Sequence, residues 1–285
     1  MFFRSVPIAS LFLLLTSGLA LAQSTATIRE DGNFRNDLMA RLADVRSIVR
    51  DGAKCDGVTN DAAALTATIA YCKTNRCTVF IPQSANGCIV NSPLDIININ
   101  GLIIEGAGKG LSKIYCTQAD HCIQIGNVVD SGYSATNITL RDFTLGATSA
   151  LAKWAVYMNW TSNTVIERLE IVNLSTRTGF AVSGGIFLGN CLTITLQSNI
   201  IGSIQADGAG IWTSGTNNAT IFGNRIDGGA NAVSGIGMHL LGRQHVVTGN
   251  VVEAFLECIH IQAGTGFQVT SNYFEGCGTA ILNKG

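Results

Sequence analysis

Apolar and polar residues alternate along this chain with a period of two, in short bursts that recur. Cys122-Ile-Gln-Ile, Ala155-Val-Tyr-Met, Gly185-Ile-Phe-Leu, Gly210-Ile-Trp-Thr, Gly235-Ile-Gly-Met, Cys258-Ile-His-Ile and Ala280-Ile-Leu-Asn share a small first residue and an Ile or Val second. The copies start 33, 30, 25, 25, 23 and 22 residues apart. Side chains alternate across a strand, so the second and fourth positions are predicted to point inward and the third outward. A second element lies between the copies: Leu196-Gln-Ser-Asn199, Ile221-Phe-Gly-Asn224, Val247-Thr-Gly-Asn250 and Val269-Thr-Ser-Asn272, with asparagines 25, 26 and 22 apart. Asn tolerates left-handed backbone angles and bonds the local backbone, which predicts turns at these residues. Stacked amides are also expected to bond one another as a ladder. Leu140 and Ile166 open earlier coils without the Asn.

Two elements phased to one period indicate a solenoid with rungs about 4.8 Å apart. A propeller, with four strands in some forty residues, and a leucine-rich repeat, with its Leu/Asn consensus, do not fit. The expected fold is all-β: a right-handed single-stranded parallel β-helix with an N-terminal helical cap. Short helices are predicted over Asn36–Asp44 and Thr59–Cys72, the second capped by Thr59 or Asn60. Strands Thr78–Ile81, Cys88–Val90 and Leu102–Glu105 start the coil. The predicted organisation is a signal peptide over 1–22 and one domain over 23–285, with a cap region at 23–77 and coils at 78–285. Ala280–Lys284 reads as one more rung with no cap after it, so a fragment end or a homo-oligomer partner is expected there.

Composition narrows the setting. Arg4, the apolar run Ile8–Leu15 and Ala20-Leu-Ala22 form a secretory address, which implies a secreted, periplasmic or extracellular product. No later stretch spans a bilayer. Charged residues make up 13% and the net charge is −1, which excludes nucleic acid as an electrostatic partner. Nine cysteines in an exported chain imply disulfides, with at least one left over; Cys116–Cys122 and Cys72–Cys77 are the preferred pairs. No CxxC occurs to favour zinc.

The segment Asp51-Gly-Ala-Lys-Cys-Asp-Gly-Val-Thr-Asn-Asp61, the Ala-rich stretch after it, Thr78-Val-Phe-Ile-Pro82 and Leu102-Ile-Ile-Glu-Gly106-Ala-Gly108 resemble the pectate-lyase-like β-helix superfamily. That group includes polygalacturonases and phage tailspike depolymerases. The resemblance covers roughly 45–113 and implies the fold; hydrolases, lyases, epimerases and non-catalytic adhesins share it. Cys55 stands where the motif usually carries Gly. The Asn-Thr-Asp, Asp-Asp and Gly-His-Gly signatures of polygalacturonases are not intact, and Glu257-Cys258-Ile259 resembles half of an Asp-Asp-Cys-Ile segment.

The outward third positions read Gln124, Tyr157, Phe187, Trp212, Gly237, His260 and Leu282, and the fifth positions Asn159, Gly189, Ser214, His239, Gln262 and Lys284. Aromatic faces beside amides and imidazoles suit a polysaccharide, with Tyr157, Phe187, Trp212, Asn159 and Gln262 as binding residues. A patch under a loop or an oligomer interface is the competing reading. Glycoside hydrolysis needs two carboxyl groups, either about 5–5.5 Å or about 6.5–9.5 Å apart. Asp207 and Glu257 are the expected acid/base pair, two coils apart, with His260 or His239 assisting. Glu257 shares the inward parity of Ile259, so this role requires a bend at Glu257–Cys258. Asp227, Glu253 and Glu275 are expected to stack as a second acidic column, a weak metal candidate against a solvated turn face. No cofactor is expected for a hydrolase, and calcium is the candidate for a lyase. Hydrolysis is preferred, and the alternative from another class is a non-catalytic carbohydrate-binding adhesin.

Overall fold

The recurring bursts form strands that stack in parallel on three faces of a right-handed β-helix, seen here in a computed structural model. It describes residues 44–285 except 119, 128–131, 148–152, 173–182, 203, 205–207 and 230–233. The front face carries Leu94–Ile96, Ile123–Ile125, Trp154–Asn159, Gly184–Gly189, Ala209–Ser214, Ile236–Arg243, Glu257–Thr265 and Thr279–Asn283. The side face carries the strands that lead into the asparagines, among them Thr161–Glu167, Leu192–Gln197, Thr216–Phe222 and Val246–Thr248. The back face is a nine-stranded sheet. Every described pairing is parallel between successive coils, as in Val156↔Ile186 and Ile186↔Ile211. The second and fourth positions, such as Ile186 with Leu188 and Met238 with Leu240, are fully buried and fill the lumen.

The asparagines build the expected ladder, but by a different turn geometry. The left-handed residue is the one before each Asn: Ser198, Gly223, Gly249 and Ser271 have φ of 55°, 63°, 65° and 55°. That residue makes the corner and throws the following amide inward. Asn199, Asn224 and Asn250 each donate Nδ2–H to the Oδ1 of the next Asn at 2.9 Å. Each also donates to a carbonyl at the end of the preceding coil's side strand, Ile166, Leu196 and Ile221, at 2.9 Å. The ladder starts at Leu169, whose N–H donates to Asn199 Oδ1 at 2.9 Å.

At the N-terminal end, Ala62–Asn75 is the one α-helix among the described residues. Ala62, Leu65, Ile69 and Cys72 are buried, one helical stripe laid on the first coils. The helix predicted from Thr59 starts three residues later. The Asp56 carboxylate accepts from Val58 N–H at 2.9 Å and Thr59 N–H at 2.7 Å. Asp56–Asn60 is a strand because it pairs with Gly87–Val90 of the next coil, and this moves the helix start to Ala62. Asn60 still serves the helix start, since its Oδ1 accepts from Ala62 N–H at 3.2 Å. The helix predicted over Asn36–Asp44 lies, but for its last residue, outside the described residues, as does the 1–22 segment.

Cys72–Cys77 and Cys116–Cys122 are joined as expected, and Cys55–Cys88 and Cys258–Cys277 add two more disulfides. Four disulfides indicate an oxidising compartment. No helix among the described residues is long and apolar enough to cross a membrane.

Candidate functional site

Two parallel columns of side chains point outward from the front-face strands, and Trp154, Ala209, His239 and His260 among them are buried. The first is the third-position column. Tyr157, Phe187 and Trp212 align in a row, as register Tyr157↔Phe187↔Trp212 requires. The next member is His239, and not Gly237: the pairing runs Trp212↔His239↔His260. The repeat Gly235-Ile-Gly-Met is therefore out of frame by two, and the true copy is Gly237-Met-His-Leu. Gly237 must fill the small position because a Cβ there would lie 2.5 Å from the Cys258 carbonyl oxygen and 2.4 Å from Val252. The correction moves His239 out of the fifth-position column and closes the gap in the third.

The rings stack accordingly. Tyr157 and Phe187 lie 4.9 Å apart at 2°, Trp212 and His239 3.5 Å apart at 6°, and His239 and His260 5.2 Å apart at 51°. The three aromatics are half-buried, while His239 and His260 are 5% and 6% exposed.

The second column lies three residues earlier in each coil: Trp154, Gly184, Ala209, Ile236 and Glu257 pair in sequence. It exists because the strand turns a corner at the small residue. Cys258 and Ile259 are both fully buried, which simple alternation forbids, and this turns Glu257 outward. Glu257 Oε2 accepts from His260 Nδ1 at 2.6 Å. The bend that an outward Glu257 requires is thus present. In this column Gly184 and Ala209 leave a low stretch, flanked by Trp154, whose ring leans on Phe187 at 5.4 Å.

His121 was not singled out from sequence. It stacks on Tyr157 at 4.1 Å, extending the ring row beyond its first aromatic. A signal was available: His121 precedes Cys122 as Glu257 precedes Cys258, so both occupy the same outward step before a small-position cysteine.

The four histidines divide by how their ring nitrogens are used. His121 Nδ1 accepts from Trp154 N–H at 3.3 Å, and its Nε2 lies 3.7 Å from Asp120. His245 Nδ1 accepts from Ala219 N–H at 3.3 Å, and its Nε2 lies 3.4 Å from Thr213 Oγ1. His260 uses Nδ1 on Glu257 and leaves Nε2 buried without a partner; His239 leaves Nδ1 in the same state. Burial pushes His121, His239 and His245 down to about 4, with the neighbouring His260 adding to the effect on His239.

The other expected site residues are placed as follows. Asn159 lies above Gly189 and Ser214, and its Oδ1 accepts from Asn190 Nδ2 at 3.3 Å. Gln262 is the extra residue where the register shifts between Leu240↔Ile261 and Leu241↔Ala263, and it is exposed. Asp207 lies outside the described residues. Asp227, Glu253 and Glu275 do share one back-face column. Arg225 joins that column's edge, with Nη2 2.6 Å from Glu253 Oε1, so the like charges are partly compensated. Among the described residues one trio of metal-capable donors falls within 4.8 Å: Cys55, Asp61 and Cys88. Its two cysteines are bonded to each other, so it offers no thiolate.

Residues 72–285 match the family described as "Periplasmic copper-binding protein (NosD)". No curated protein sequence matches the chain. Among solved structures, the Agl-KA catalytic domain is similar with a TM-score of 0.68 at 16% identity, covering 85% of this chain and 44% of that one. DFA-IIIase from Arthrobacter chlorophenolicus A6, in complex with DFA-III, gives 0.58 at 13%, covering 80% and 61%. The Dettilon tailspike protein (gp208) gives 0.53 at 13%, covering 86% and 60%. This chain spans less than two thirds of each. At such identities the likeness is one of fold, and it bears out the resemblance carried by Asp51–Asp61.

Proposed function

The chain belongs to the NosD family, and from that membership and the front-face geometry we propose that it processes a polysaccharide laid along the ring column, with acid–base chemistry at its His260 end. The observation that carries this reading is a row of rings in register, stacked at Tyr157–Phe187 and at Trp212–His239, that ends in a carboxylate–imidazole pair. Tyr157 is stacked between His121 and Phe187, and Trp212 lies on His239, so in this reading the half-buried row meets the sugar chain by its ring edges. Glu257 holds the His260 ring through Nδ1, which makes the two a coupled carboxylate–imidazole pair for proton transfer. Hydrolysis is the preferred reaction, with Asp207 as the second carboxyl. Export to the periplasm or beyond fits the four disulfides.

The test is a reducing-end assay on a panel of neutral and acidic polysaccharides. Wild type is expected to cut one of them. Glu257→Gln and His260→Ala should each lower kcat by roughly 10²–10⁴-fold. Trp212→Ala should act mainly on KM. Ultraviolet-absorbing unsaturated ends would assign a lyase instead. Binding without cleavage would assign the adhesin class, and full activity in Glu257→Gln would remove the pair from the chemistry.

The family description adds copper. The soft donors of the described residues are consumed: Met158, Met238 and Cys191 are buried in the lumen wall and eight cysteines are in disulfides. The imidazoles of His239 and His260, each with an unused buried nitrogen, fit a copper(II) ion. Bound there, the ion would supply a Lewis acid at the end of the ring column.

A further inference from the structure

We propose that His239 Nδ1 and His260 Nε2 are the two protein ligands of a divalent transition-metal site, for Cu²⁺ or Zn²⁺, with Glu257 as its supporting carboxylate. Both nitrogens are fully covered and lack any hydrogen-bond partner. On His260 the covered atom is a lone-pair nitrogen, since that ring's other nitrogen donates to Glu257 at 2.6 Å. His239 Nδ1 faces no donor or acceptor and is free to take the same form. An unsatisfied buried acceptor calls for an electropositive guest, either a water hydrogen or a cation. Two such acceptors on rings 5.2 Å apart share that demand.

The surroundings favour the cation. A metal-binding imidazole characteristically donates its second N–H to a carboxylate, which fixes the ring and raises its basicity, and Glu257 stands in that position behind His260. Trp212, stacked on His239 at 3.5 Å, fixes the other ring. Glu257 lies behind the ligand and not beside the free lone pairs, which is consistent with no three-donor group forming here. Two protein ligands leave coordination positions for water or substrate. His245 is excluded because both of its ring nitrogens have partners, and His121 because its Nδ1 accepts from Trp154 N–H and its Nε2 lies beside Asp120. Binding of the ion does not depend on the cleavage reading above.

The experiment is titration of the full-length, untagged, chelator-treated protein with CuCl₂, followed by electron paramagnetic resonance and calorimetry, with ZnCl₂ in parallel. One ion per chain is expected, with superhyperfine splitting from two imidazole nitrogens. His239→Ala and His260→Ala should each weaken binding at least tenfold, Glu257→Gln roughly 10–100-fold, and His121→Ala not at all. If an alanine variant does not fold, the nitrogen count in the wild-type spectrum decides. A spectrum with no or one coupled nitrogen, or equal weakening by His121→Ala, overturns the site and leaves a bridging water between the rings. Two coupled nitrogens in a protein that cuts no polysaccharide would uphold this site while the cleavage reading falls.

Discussion

Replacing Asn224 by Leu is expected to lower stability by roughly 3–6 kcal/mol. The substitution removes an acceptor for Asn199 N–H at 3.0 Å and Asn199 Nδ2–H at 2.9 Å, and a donor to the Leu196 carbonyl at 2.9 Å. All three groups are buried, and each orphaned polar group costs about 1–3 kcal/mol. For a domain of this size the melting temperature should fall by about 10 °C or more. Leu itself is tolerated at this step, since Leu169 precedes Asn199 in the same column. The loss therefore reports the broken ladder and not a steric clash. Asn272→Leu is the control. Asn272 makes the equivalent three bonds, accepting twice from Asn250 and donating to the Val247 carbonyl at 2.9 Å, but it is only half-buried, so water can reach the orphaned groups and its replacement should cost less. Equal melting temperatures for the two variants would show that the amides are not coupled along the stack.

Acid should weaken the fold well above the pH at which its carboxylates protonate. His121, His239 and His245 are held at about 4 by burial, against an ordinary value of 6.5. Between those limits the unfolded chain binds protons that the folded chain refuses, so stability is complete above about pH 6.5 and declines as pH falls toward 4. Each histidine adds a slope of roughly 1.4 kcal/mol per pH unit, so three together give at most about 4. Asp51, held at about 2 chiefly by its hydrogen bonds with Arg46, stays ionised through this window and adds nothing to the slope. Urea midpoints of the chelator-treated protein at pH 7, 6, 5 and 4 measure the decline. His245→Gln should reduce the slope by about a third, and a flat profile would mean that these rings take up protons without unfolding.

The sequence carried the architecture because a β-helix writes its coil length directly into the spacing of apolar pairs and asparagines. It carried Tyr157, Phe187 and Trp212 as a row for the same reason. It did not carry the register of His239. Gly235 and Gly237 both head an apolar alternation, and the pairing of Met238 with Ile211 and Ile259 on the neighbouring coils chooses between them. The outward turn of Glu257 likewise depends on a corner that places two consecutive residues inside, where a period of two cannot see it. The turn residue before each Asn was equally hidden, because Ser and Gly both serve there and the Asn draws attention to itself.

Cys191 is the unpaired cysteine, 1% exposed, and burial pushes its thiol up to about 12. Its Sγ rests 3.2 Å from the Gly189 carbonyl oxygen, inside the coil beneath the site. A thiol so protonated and so shielded is unreactive until its coil opens. The protein therefore carries a built-in reporter: iodoacetamide labelling of Cys191 should be negligible in the folded protein and should track the fraction of chains whose middle coils have come apart.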